Sequence, residues 1–161
     1  EELPGVVEET LATSGLDPSL LSLEITESAL MDADVALRAL ERLKRLGVTL
    51  AVDDFGTGYS SLVYLRRLPV DVIKIDKSFV GGLGRSDEDT AIVAAVTGLA
   101  GALGLHTIAE GVETVGQRSA LLALGCELGQ GYLWHPPASA GDFGDWLASH
   151  EAADVTPVAG D

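Results

Sequence analysis

The chain has 161 residues, 47% of them hydrophobic and only 5% aromatic, which suits one domain with a core of Leu, Val, Ile and Ala. Ten basic residues against 25 acidic ones give a net charge of −15, which argues against non-specific binding of DNA or RNA through a cationic surface. A small anionic ligand stays open, because bound divalent cations reverse a local field.

Taken in chain order, Glu2 to Ser14 reads as a helix with Pro4 in its first turn and Gly15 after it. Leu21–Thr26 is the first of five apolar runs of strand length. The next helix carries Ala36, Ala39, Leu40, Leu43 and Leu46 on one face and Arg38, Glu41, Arg42 and Arg45 on the other, with Gly47 placed to end it. Val48–Asp53 and Val70–Ile75 follow as strands, then a helix capped by Ser86 that runs to about Leu103. Leu105–Glu110 is the fourth strand. Thr114 and Gln117 form a capping-box pattern ahead of Leu121, Leu122 and Leu124, and Gly125 follows. Leu128–Leu133 is the fifth strand, and Pro136–Pro137 marks a loop. Glu151–Asp161 lacks apolar periodicity and reads as a disordered tail, which leaves 1–150 as the domain. Strands alternating with helices pair in parallel through right-handed crossovers, the pattern of an α/β fold.

Ala91 to Ala109 is nearly uncharged and long enough to cross a bilayer, but Gly104 divides it into a helix and a short strand. Cys126 is the only cysteine, so no internal disulfide forms, and no Cys/His spacing resembles a zinc site. A reduced, cytoplasmic domain is the expectation, and the parent protein can still carry a membrane anchor elsewhere.

The parity of the strands carries the chemistry. Side chains alternate across a strand, so Glu24, Asp53, Lys74 and Glu110 each fall on the face opposite a mostly apolar one. In an α/β barrel one strand face packs on the helices and the other lines the interior, with catalytic groups at the C-terminal strand ends. Ionisable groups converging there are costly unless paired or bound to metal. Three carboxylates and a lysine suit hard divalent cations and a phosphate, whereas ordinary polar caps at strand ends are the alternative for any one of them. Asp53-Asp54 offers adjacent carboxylates, and Gly56 and Gly58 allow an unusual backbone path close to a ligand.

The residues also match a family. Leu23-Glu24-Ile25-Thr26-Glu27 is followed by Asp53-Asp54-Phe55-Gly56-Thr57-Gly58-Tyr59-Ser60-Ser61-Leu62, Leu68-Pro69-Val70-Asp71 and Ile73-Lys74-Ile75-Asp76. Ala109-Glu110-Gly111-Val112-Glu113-Thr114 and Gln130-Gly131-Tyr132-Leu133 complete the series. In this order, from about Leu3 to Leu147, they resemble the EAL domain, a (β/α)8 barrel of the TIM type that hydrolyses cyclic di-GMP to linear pGpG with Mg²⁺ or Mn²⁺ in a two-metal site.

The resemblance implies roles. Glu24 would ligate the first metal, Asp53 would bind or bridge the metals, and Asp54 would sit at the second. Lys74 would hold the attacking water or a phosphate oxygen, and Glu110 would act on that water. Glu113 and Gln130 would complete the polar rim, and Glu27 would anchor the loop from Asp54 through Phe55, Gly56, Thr57, Gly58, Tyr59 and Ser60 to Ser61. That loop would also lie at a homodimer interface. The chain is expected to hold about five of the eight strands and to start after the family's Glu-Ala-Leu and Asn ligands, so that alone it is inactive. A sensory or GGDEF-type domain would precede it in the parent protein. Leu133-Trp134-His135-Pro136-Pro137 departs from the family's usual segment, which puts a substrate contact there in question. A catalytically silent EAL domain that binds the nucleotide, and another metal-dependent barrel such as a lyase with a lysine base, are the alternatives.

Overall fold

The structure, a computed structural model, describes residues 2–26, 33–56 and 65–150. The described strands are β1 Ser22–Thr26, β2 Thr49–Phe55, β3 Val72–Ile75, β4 His106–Ala109 and β5 Leu128–Gly129. They form one sheet in sequential order, every neighbouring pair parallel. The described helices are α1 Leu3–Ser14, α2 Ala33–Leu46, α3 Lys77–Gly82, α4 Asp87–Leu103, α5 Val115–Ala123 and α6 Ala140–His150. This is the expected α/β architecture, with five strands of a TIM-barrel-like fold.

The helix signals act where the sequence places them. Gly15 takes a left-handed φ of 69° and closes α1 with its N–H on the Leu11 carbonyl. The Ser86 side chain accepts from the Asp89 N–H at 3.1 Å, and Asp87, Glu88 and Asp89 place negative charge at the positive end of α4. Thr114 and buried Gln117 form the full capping box of α5. No described helix is long and apolar enough to cross a membrane, since α4 ends at Leu103 and β4 begins at His106.

The sheet face toward the helices is the core. Leu50, Val52, Ile73, Ile75 and Ala109 are fully buried there, and Leu40, Leu43, Val80, Val93 and Val96 cover them from the helix side. Each buried aliphatic chain contributes about 1.5–3 kcal/mol, which sets strand parity firmly, because a one-residue slip would expose the whole set.

The structure departs from the expected elements in three places. β5 ends at Gly129 rather than Leu133, because the Gln130 carbonyl and the Leu133 N–H turn to Val112. α3 was hidden by its shortness and paired glycines, which carry no apolar period. α6 was hidden because none of its residues is buried, so no stripe faces the core.

A partly buried strut closes the N-terminal ends of the strands. Lys44 Nζ at the end of α2 donates to both Asp71 oxygens, at 2.9 and 2.8 Å, and to the Val48 carbonyl at 3.1 Å. Asp71 Oδ2 also accepts from the Leu50 N–H at 2.8 Å. Asp71→Ala should cost about 1–3 kcal/mol in a urea melt, since charged hydrogen bonds are lost. Metal binding at the far end of the strands should be unchanged, and a loss below ~0.5 kcal/mol would show the strut to be dispensable.

Candidate active site

The second sheet face brings the ionisable groups together. Glu24 lies in register with Ala51, which pairs with Val72, and Thr26 lies in register with Asp53. Lys74 is one side-chain step further along β3, paired with Ile108. Its ammonium meets Glu24 Oε1 at 2.7 Å, Asp53 Oδ1 at 3.0 Å and Glu110 Oε1 at 2.5 Å. The Lys74 side chain is only 4% exposed, whereas Glu24 is 50% exposed, so one carboxylate of the set can leave for solvent cheaply.

Burial by itself would lower the Lys74 pKa, but the hydrogen bonds it donates to Glu110 and Glu24, with the Asp53 carboxylate beside it, outweigh burial and hold the group above the usual lysine range. A lysine raised in this way adds stability that is complete below its ordinary value of about 10.4 and is lost only as pH rises through the raised one. Lys74 is thereby held cationic across neutral pH among these carboxylates.

Adjacent residues of a regular strand point to opposite faces, so Asp53 and Asp54 should diverge. They do not. The β2–β3 register shifts between Val52 and Phe55: Val52 pairs with Ile73 but Phe55 pairs with Ile75. The extra residue makes a bulge, and Asp54 within it takes a left-handed φ of 54°, the only non-glycine to do so among the described residues. Aspartate tolerates this region better than most residues, at a cost on the order of 1–3 kcal/mol. One oxygen each of Asp53, Asp54 and Glu110 then lie within 4.8 Å of one another.

Those three carboxylates fit a hard cation. Asp53 Oδ1 touches the Lys74 ammonium off the hydrogen-bonding directions and is a buried oxygen with no hydrogen-bond partner. Such an oxygen calls for an ion or a donor. Opposite ligands of an octahedral Mg²⁺ are about 4.2 Å apart and neighbouring ones about 3 Å, so a spread within 4.8 Å is of the size one ion spans once the side chains adjust. Glu24, expected as a ligand of the first metal, is turned to Lys74 and is not part of this trio.

Gln130 shares the Glu110 oxygen that meets Lys74: its Nε2 donates to Glu110 Oε1 at 2.9 Å. Gly111 and Gly131, directly after these two residues, let the chain turn close to its neighbours. A Cβ at Gly111 would meet Lys77 Cβ at 2.7 Å, and one at Gly131 would collide with the Val112 carbonyl. Glu113 is exposed and outside the Lys74 cluster, and its N–H donates to Gln117. Phe55 is buried in the core and Gly56 turns the chain with φ 97°. Glu27, Thr57, Gly58, Tyr59, Ser60 and Ser61 lie outside the described residues, as does most of the loop expected to meet a second copy.

Asp76 also proves to be structural. It caps α3, its Oδ1 accepting from the Ser78 N–H at 3.0 Å and from the Ser78 hydroxyl. The Asp-x-Ser pattern carries that signal in the sequence.

Known proteins resemble this chain in both sequence and fold. The profile of the EAL domain family matches residues 1–137. The bifunctional diguanylate cyclase/cyclic di-GMP phosphodiesterase MucR of Pseudomonas aeruginosa is 48% identical over 135 residues, covering 83% of this chain and 20% of that protein. The solved MucR phosphodiesterase in complex with c-di-GMP superposes with a TM-score of 0.85 at 46% identity, over 88% of this chain and 58% of that one. A manganese/cy-diGMP complex of Klebsiella pneumoniae BlrP1 superposes with a TM-score of 0.77 at 37% identity, over 83% of this chain and 34% of that one. The chain thus spans about a fifth of the length of the curated relatives it matches. With the motif series, the parallel sheet and the profile in agreement over most of its length, the chain belongs to the EAL domain family.

Proposed function

We propose that this chain carries the metal-binding and water-directing part of a phosphodiesterase site that opens cyclic di-GMP to linear pGpG. The observation that carries the reading is the trio Asp53, Asp54 and Glu110 beside the Lys74 ammonium, at the strand ends where barrel enzymes work. The substrate comes from the relatives, which are named for cyclic di-GMP hydrolysis and solved with that nucleotide.

Bound Mg²⁺ or Mn²⁺ supplies Lewis acidity and a lowered water pKa in a two-metal site. Asp53 and Asp54 would hold the ions, and Glu24 would join them on turning away from Lys74. Glu110, hydrogen-bonded by Gln130, would act on the attacking water as general base or through a bound metal. Lys74 donates to that water or to a phosphate oxygen. A lyase using Lys74 as base fits poorly, because the surrounding carboxylates keep that lysine protonated.

The test is product formation by the full-length protein, followed by chromatography of pGpG. Turnover is expected in Mg²⁺ or Mn²⁺ and not in Ca²⁺, whose longer bonds and larger ligand number spoil an octahedral clamp. Equal rates in Ca²⁺ would contradict the assignment. Residues 1–161 alone should show no turnover. A single trio of carboxylates is too few for the two ions of the proposed site, and β1 and β5 are the two edges of the described sheet. Measurable hydrolysis by the purified chain would overturn that expectation.

A further inference from the structure

The short helix α3 touches both strand ends that carry the trio. It starts right after β3 at its Asp76 cap and is pinned in the core by fully buried Val80. On one side the Phe79 ring lies under Gly56, where a Cβ would come within 3.3 Å of Cε2 and 3.7 Å of Cζ. On the other side the stem of Lys77 lies against Gly111, with a built Cβ only 2.7 Å from Lys77 Cβ. Gly56 is two residues after Asp54, and Gly111 is one after Glu110. Behind α3, Gly82 is pressed against Asp89 at the start of α4, where any Cβ would collide with the carboxylate.

We propose that α3 is a bracket that sets the spacing between the Asp53–Asp54 bulge and Glu110, and that Phe79 is its principal positioning residue. A left-handed aspartate persists only where its surroundings over-determine it. The ring beneath Gly56 is one such restraint, and the packing of Lys77 on Gly111 fixes the opposite carboxylate. Phe79 touches neither substrate nor metal in this role. Where the spacing governs cation affinity, the inference rests on the phosphodiesterase reading above. The bracket itself does not depend on that reading.

The experiment compares Phe79→Ala, Phe79→Leu and Val93→Ala in the full-length protein. Val93 is fully buried on α4 and truncates the core without being among the atoms found close to Gly56 or Gly111. Two readouts are taken well below the melting transition: amide hydrogen exchange at residues 54–56 and 110–112, and Mn²⁺ affinity from the free-ion electron paramagnetic resonance signal. Phe79→Ala should speed exchange in both segments and weaken Mn²⁺ binding by about 10–100-fold, the usual effect of losing an outer support of a metal site. Phe79→Leu should recover most of both. Val93→Ala should lower the melting temperature and leave both readouts as in the wild type. If Phe79→Ala and Val93→Ala give the same exchange at 54–56 and 110–112, the bracket is refuted. If exchange rises as expected but the wild-type protein binds no Mn²⁺, the bracket stands and the phosphodiesterase reading fails.

Discussion

Lys74→Met is expected to lower kcat by about 10²–10⁴, the usual size of a lost proton-transfer or positioning group. The same change should lower the melting temperature when no divalent cation is present. The ammonium is 4% exposed and is the shared counter-charge of Glu24, Asp53 and Glu110. Breaking a buried pair by removing one partner typically costs about 3–5 kcal/mol, because the other charge stays behind. Here the cost is softened, since half-exposed Glu24 can turn to water, while Asp53 and Glu110 at 22% and 16% exposure cannot do so fully. Added Mn²⁺ should then raise the melting temperature of the variant more than that of the wild type, as it replaces the missing positive charge. Two roles separate at this point. If Lys74 directs the attacking water, Mn²⁺ restores the melting temperature but not kcat. Recovery of both would reduce Lys74 to a neutralising group, and a near-normal kcat without rescue would remove it from the site altogether.

Asp54→Asn should be comparably damaging to activity and nearly silent for the fold. Asparagine tolerates the left-handed region as aspartate does, so the φ of 54° is kept without new strain. What is lost is one negative charge among the trio that fits a cation. A metal is worth several kcal/mol to a phosphoryl transition state, and each 1.36 kcal/mol is tenfold, so kcat/KM should fall by about 10²–10⁴. Mn²⁺ affinity should fall with it. The melting temperature without metal should stay level or rise, because one member of a crowded acidic group has become neutral. Asp54→Val provides the contrast: it removes the same charge but is β-branched at positive φ, so it should also destabilise the fold. Turnover of Asp54→Asn within threefold of wild type, a change of under about 0.7 kcal/mol, would exclude Asp54 as a ligand.

The sequence by itself determined the parallel α/β order, the caps of α1, α4 and α5, and the shared face of Glu24, Asp53, Lys74 and Glu110. Each of these is local. A strand alternates with period two because of covalent geometry, and a cap reads from three or four consecutive residues. The motif series also carried the family. Tertiary structure alone decided the rest. Asp54 reaches the site only because β2 slips against β3, and a bulge is a property of two strands rather than one. Glu24 turns to Lys74 across β2, and Lys44 reaches Asp71 over 27 positions of sequence. β5 stops early because Val112 competes for its backbone, and α3 matters through two glycines that precede and follow it in other loops. Periodicity records which face a residue occupies, whereas partners arise from packing between segments distant in the chain, where no local pattern registers them.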